Sequence, residues 1–348
     1  MIYIYLTSFL FLFNYLFNKF NYERNLFYYL ILFILFIFAS FRYKVGCDWA
    51  AYEGLFYTIN EYEWLNIFSD RDPLFYLING LLYKYNFSFL FLNIIFSGIF
   101  FWGIHIFAKH QPDPLSFLIF TFPILIINMP MSGIRQGAAI GLVCIALVHF
   151  LDRRPFKFIM WVLIASGFHL SAIVFLLLIP FSTGRYNYTR FAILIILILP
   201  SLIFVYFTEG ALLALDVYVG TELEAYGAIF RVGILTLSAS YFYLCVMNKW
   251  KKTFPVDYNL VSLGSMGMVL LLFILPISTV ISDRFGYYLI PIQAMIFARL
   301  PFLPFRQNHS LHVVLPYLGL FSVFLVWALT SWHFQKCYTP YDNWLLNL

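Results

Sequence analysis

Between Leu115 and Leu151 the chain carries one fixed charge, Arg135, and one residue that could add a second positive charge, His149, near the far end. If helical throughout, this stretch would be about 55 Å long, nearly twice the ~30 Å hydrocarbon core of a bilayer. It must therefore break, and Met129-Pro130-Met131-Ser132-Gly133 provides the residues for a break. Two spans result, with Arg135 just inside the start of the second. A guanidinium at that depth is costly unless it pairs or faces water, which makes Arg135 a candidate functional residue.

Hydrophobic residues fill 63% of the 348 positions and charged residues only 11%. No water-soluble domain has that balance, and the apolar runs recur along the chain without the period-two alternation of a barrel. The expected fold class is all-α, a single polytopic membrane bundle over 1–348 with about 10–12 spans, some broken or re-entrant. Candidate spans cover 2–17, 26–41, 88–108, 115–129, 134–151, 191–207, 229–248, 259–280, 285–299 and 311–329. The first run lacks a basic leader and a small-residue cleavage site, so it reads as a retained span.

Basic residues orient these spans. Lys19/Arg24, Arg153/Arg154/Lys157, Lys249/Lys251/Lys252 and Arg299/Arg306 are assigned to the cytoplasm. Segment 208–228 has no Lys or Arg and carries Glu209, Asp216, Glu222 and Glu224, so it reads as an external loop; the acid-rich segment 42–72 reads likewise. Parity then requires the chain between Lys157 and Arg185 to cross an even number of times. Segment 157–181 is short for two spans and has a small, polar centre, Ser166-Gly167-Phe168-His169-Leu170-Ser171. We read it as a re-entrant hairpin of two half-helices lining a cavity. By the same parity, 73–85 is an interfacial or re-entrant helix, with Pro73 in its first turn and Asp72 as its cap.

Four clusters could carry chemistry. Asp48, Trp49 and Tyr52, at i, i+1 and i+4, would place the carboxylate and Tyr52 on one face of a helix starting here; they would serve as cap and interface anchors, or as a sugar platform beside a carboxylate. Arg135 with Gln136 lies near a helix N-terminus, either snorkelling or clamping phosphate through a bidentate fork. His169 with Ser171 sits at the helix break, without a third member for a nucleophilic triad. Asp283-Arg284 with Tyr287 either neutralises itself or presents a second guanidinium to the same external cavity as Arg135. The four cysteines follow no metal spacing. Cys47 and Cys337 both fall in segments assigned to the outside, where a disulfide could join them. Nucleotide-binding glycine patterns are absent.

The ordered set Gly46-x-Asp48-Trp49-x-x-Tyr52-x-x-x-Phe56, Asp72-Pro73-x-Phe75, Ile134-Arg135-Gln136, Phe168-His169-x-Ser171-Ala172, Asp283-Arg284 with Tyr287, and Pro340-Tyr341 spreads over nearly the whole chain. It resembles the EpsG family of bacterial polysaccharide polymerases, related in role to the Wzy O-antigen polymerases. Cys47 departs from the small or hydroxyl residues more usual there. The resemblance implies a GT-C-like glycosyltransferase of the bacterial inner membrane, joining undecaprenyl-diphosphate-linked oligosaccharide units at the periplasmic face. It would need no cofactor and no metal, and would bind no nucleic acid; its partners would be the lipid-linked oligosaccharide, membrane lipid and a chain-length regulator. Asp48, Arg135, His169 and Arg284 would then be catalytic, and Trp49, Tyr52, Gln136, Ser171, Asp283 and Tyr287 would bind substrate. Two other classes fit an intramembrane arginine beside broken helices: a flippase for lipid-linked sugars, and an O-acyltransferase acting on polysaccharide.

Overall fold

The computed structural model describes residues 1–16, 23–59, 72–182, 189, 192, 225 and 227–346. Lys19, Arg185, Arg190 and nearly all of the candidate span 191–207 and of segment 208–228 lie outside the described residues. The helices are α1 (Ile2–Leu16), α2 (Glu23–Ser40), α3 (Trp49–Thr58), α4 (Pro73–Lys84), α5 (Phe89–Ala108), α6 (Pro114–Thr121), α7 (Ile134–Leu151) and α8 (Pro155–Phe168). A 3-10 segment, Leu170–Phe181, follows. Then come α9 (Ala228–Tyr241), α10 (Tyr258–Ile274), α11 (Thr279–Arg299), α12 (His309–Thr330) and α13 (Trp332–Tyr338). The chain is an all-α polytopic membrane protein. Helices long and apolar enough to cross a bilayer alternate with shorter apolar ones, and no strand occurs among the described residues.

The break expected after Met129 is present. Pro123 lies in a π-turn, Phe122–Ile126, that closes α6, and the Asn128 carbonyl then accepts from the N–H groups of Ser132 and Gly133, each at 3.1 Å. Three span boundaries differ from the sequence expectation. The 259–280 span ends early, at Ile274. The 229–248 span runs on through a second π-turn, Phe242–Val246, to Thr253. The 285–299 span starts at Thr279, because Ser278 caps it by accepting from the Ile281 N–H. Asp283 and Arg284 therefore sit inside the helix rather than ahead of it.

Helix α7 is the axis of the bundle, with 89% of Ile134–Leu151 buried, against 22% for the peripheral α12. Its apolar residues thus face protein all round, which is why its sequence shows no polar stripe. Close approach to α5 depends on paired glycines. A Cβ on Gly103 would lie 1.8 Å from the Gly141 carbonyl oxygen, so no larger residue fits that crossing.

Connectivity defines two ends. At one, the chain passes from α2 into α3, from α6 into α7 and from α12 into α13. At the other, Arg24 of α2 is paired with Asp113, and Arg299 of α11 with Asp257 and with Gln111 Oε1 at 2.9 Å. Both arginines belong to basic clusters that the sequence assigns to the cytoplasm. Each is buried, because a carboxylate from another segment neutralises it inside the helix ends. The turn between α7 and α8 and the end of the 3-10 segment meet at this same end, where Leu151, Arg153, Phe181 and Ser182 line one cavity. The chain thus leaves through α8, reverses at the extended His169 (φ −157°) and returns. At about 2 Å per residue, a 3-10 segment of this length covers roughly 24 Å, comparable to the longer-looking α8.

Candidate functional site

The loop after α2 is fixed before any functional side chain is placed. Arg42, 1% exposed, donates to the carbonyls of Ala39 (2.8 Å) and Val45 (3.1 Å) and to Asn93 Oδ1 (2.9 Å). The Ala39 carbonyl belongs to the C-terminal end of α2, where a cation is favoured, and the Val45 carbonyl to the loop beyond it. Gly46 holds φ +105°, and a Cβ there would lie 1.9 Å from the Met131 carbonyl oxygen, so glycine is required on both counts. Cys47 is disulfide-bonded to Cys337, with Cα atoms 4.7 Å apart, and the Gly46 N–H donates to the Cys337 carbonyl at 2.7 Å. The C-terminal strap also pairs Trp344 N–H with Phe41 O at 2.7 Å and Tyr43 N–H with Asp342 O at 3.0 Å.

Asp48 follows directly. Ser132 Oγ, from the turn before α7, donates to its Oδ2 at 3.2 Å. Replacing Cys47 and Cys337 together by Ser removes a link across 290 positions and is expected to lower stability by about 3 kcal/mol. Thermal unfolding of the wild type with and without a dithiol reductant checks this. Unchanged melting would mean that the hydrogen bonds alone hold the loop.

The first cluster gathers on Asp72. Arg135 Nη1 donates to Asp72 Oδ2 at 2.9 Å, His169 Nδ1 faces the same oxygen at 3.5 Å, and the Leu170 N–H donates to Oδ1 at 3.1 Å. Arg135 Nε also reaches the Tyr52 hydroxyl at 3.4 Å, and its guanidinium lies over the Phe75 ring at 5.1 Å. Burial works against the charged form of the Asp72 carboxyl, but hydrogen bonding and charge from His169, then charge from Arg135, outweigh it and hold it below its usual range. Asp72 occupies the cap position of α4 without capping it. Its oxygens go to α7 and to the α8 break instead, because pairing a guanidinium at this depth is worth more than one capping bond.

The second cluster lines a cavity of about 260 Å³. Asp48, Gln136, Asp283, Arg284 and Tyr287 all contribute to it, together with Arg231 and His333. Arg231 forms an ion pair with Asp283 and lies 4.9 Å over the Tyr287 ring. Gln136 Nε2 donates to the Arg284 carbonyl at 2.5 Å and so ties the first turn of α7 to α11. Cys47, Cys337 and His333 bring potential metal donors within 4.8 Å of one another, but the two sulfurs are bonded to each other. His333 Nε2 lies 2.9 Å from Cys47 Sγ.

Arg135 and Arg284 thus stand at the same end of the bundle but face different clusters. Neighbours on a helix point about 100° apart, so Gln136 meets the cavity while Arg135 turns to Asp72. The cations that line the cavity are Arg231 and Arg284. Ser171 does not reach either cluster's acids; its hydroxyl donates to Tyr288 at 3.1 Å. Trp49 is buried against Phe89 and Tyr43 with the Arg42 guanidinium over its ring, so it offers no sugar-stacking face. Tyr52 is likewise buried and serves Arg135 through its hydroxyl. Sequence reasoning missed Asp72 as a partner, Arg231 and His333. Arg231 could have been found by the argument applied to Arg135, as a lone arginine in the opening turn of an apolar span.

The model of the EpsG family matches residues 25–343. No curated protein and no solved structure matches the chain.

Proposed function

Because the chain belongs to the EpsG family, we propose that it is a polysaccharide polymerase, joining undecaprenyl-diphosphate-linked oligosaccharide units at the periplasmic face of the inner membrane. The observation that carries this reading is the cavity itself, which Asp48 lines together with Arg231 and Arg284. Transfer breaks the bond between the donor sugar's anomeric carbon and its diphosphate oxygen. The departing diphosphate keeps the electron pair, and Arg284 and Arg231 stabilise the charge that develops there. The acceptor hydroxyl forms the new bond as its proton passes to Asp48, whose Oδ2 is oriented by Ser132. Arg135, held by Asp72, supplies a further cation on the neighbouring face, with His169 positioning it.

The Cys47–Cys337 disulfide supports the periplasmic assignment, since such links persist in oxidising compartments. The basic residues at the opposite end agree with it.

Gel profiles of surface polysaccharide from a deletion strain test the proposal. The long-chain ladder should vanish while single repeat units still reach the surface, and the wild-type chain should restore it. Units trapped on the cytoplasmic side would indicate a flippase instead. A normal ladder lacking acyl groups would indicate an acyltransferase.

A further inference from the structure

At the end of the bundle opposite the disulfide, a cleft of about 680 Å³ opens between the C-terminal turns of the α9 span and the loop that precedes α12. Lys249, Lys252 and Arg306 line it, joined by Asn248, Gln307 and His312. No carboxylate lines it among the described residues. This sets it apart from the other arginines at the same end. Arg24 and Arg299 each meet an aspartate from a distant segment, whereas these three cations converge without one. Bringing like charges together raises the energy of the apo cleft, which an anion relieves.

The walls are built rather than incidental. Lys249 Nζ donates to the Cys245 carbonyl at 3.0 Å and sits 5.0 Å over the Phe305 ring. His312 stacks on that same ring at 4.0 Å and is held from behind by the Tyr241 hydroxyl at 2.7 Å. The lysine stem and the imidazole are therefore pre-positioned, and little side-chain freedom is left to lose on binding. The same helices expose Leu244, Leu311 and Leu315, where acyl chains would lie.

We infer that this cleft is a binding site for the phosphate headgroup of an anionic phospholipid of the cytoplasmic leaflet, separate from the transfer site. Basic pockets between spans at the cytoplasmic surface suit such headgroups, because each cation adds to the attraction of the leaflet's own charge. The inference does not rest on the proposed reaction.

The test uses the full chain reconstituted in nanodiscs of phosphatidylcholine doped with phosphatidylglycerol, followed by mild detergent extraction and mass spectrometry of the retained lipid. The wild type should retain phosphatidylglycerol in preference to phosphatidylcholine. The triple variant Lys249→Gln, Lys252→Gln, Arg306→Gln should lose this preference by roughly 100-fold. A control triple, Arg153→Gln, Arg154→Gln, Lys157→Gln, removes as much charge from the same end and should keep it. Equal losses in both triples would reduce the effect to general surface charge and overturn the site. Full displacement by inorganic phosphate would overturn the lipid assignment in favour of a soluble anion. Lys252→Gln alone, at an exposed position, provides a partial loss to measure should the triple fail to fold.

Discussion

Arg135→Ala is expected to reduce long-chain polymer by roughly 100-fold at normal protein level, because it removes the cation on the face beside the cavity and frees the Asp72 oxygen that it shares with His169. The chain should still fold, because about a third of the Arg135 side chain (32%) is accessible and Asp72 keeps its bond from the Leu170 N–H. Arg135→Lys should restore little. The guanidinium uses Nη1 for Asp72 and Nε for Tyr52 at once, and an ammonium on a flexible stem cannot reproduce that fork. Asp72→Asn is the companion measurement. It keeps the shape but releases Arg135 and His169, so it should lower polymer output more than it lowers the melting temperature. A ladder of normal length from Arg135→Ala would remove this residue from the mechanism.

The second large effect is at Arg231. Its pair with Asp283 is nearly inaccessible, with side-chain exposures of 12% and 15%. Arg231→Ala leaves a buried carboxylate without its partner and should destabilise the protein by about 3 kcal/mol, read by thermal unfolding in detergent. Adding Asp283→Leu should return most of that stability, because two removed charges no longer require solvation. Polymer should stay absent in the double variant if the pair serves the reaction. Recovery of both stability and polymer would make it a packing element only.

The residues that sequence reading could find are those whose placement carries a local cost. Arg135 stands out because nothing near it in the chain can neutralise it, and the Met129–Gly133 break because no helix could continue across so long an apolar run. Gly46 and Asp283-Arg284 were visible as parts of an ordered pattern. Asp72 stood in the same pattern, but its pairing role did not show, since Pro73 beside it offers a sufficient local explanation as a helix start. Its real partners, Arg135 and His169, lie far along the chain and come together only through α7 and the α8 break. The same distance hid the buried states of Arg24 and Arg299, whose neighbours in sequence look like those of any cytoplasmic charge.

Trp49 illustrates the opposite error. An aromatic beside a carboxylate suggests a sugar surface, but the ring is taken up by Phe89, Tyr43 and Arg42. Whether an aromatic face is free depends on neighbours that no window of sequence contains.

Hydropathy alone determined that this chain is a many-spanned helical bundle, because a backbone in hydrocarbon must satisfy its own hydrogen bonds and the apolar runs have helical lengths. The lysines and arginines between spans supply the orientation that we propose, by the usual bias of such charges. Only the packing of α7 against α4, α8 and α11 decided which acid meets which arginine. Charge pairing acts over a few ångströms, and the partners that close that distance here stand tens to hundreds of residues apart.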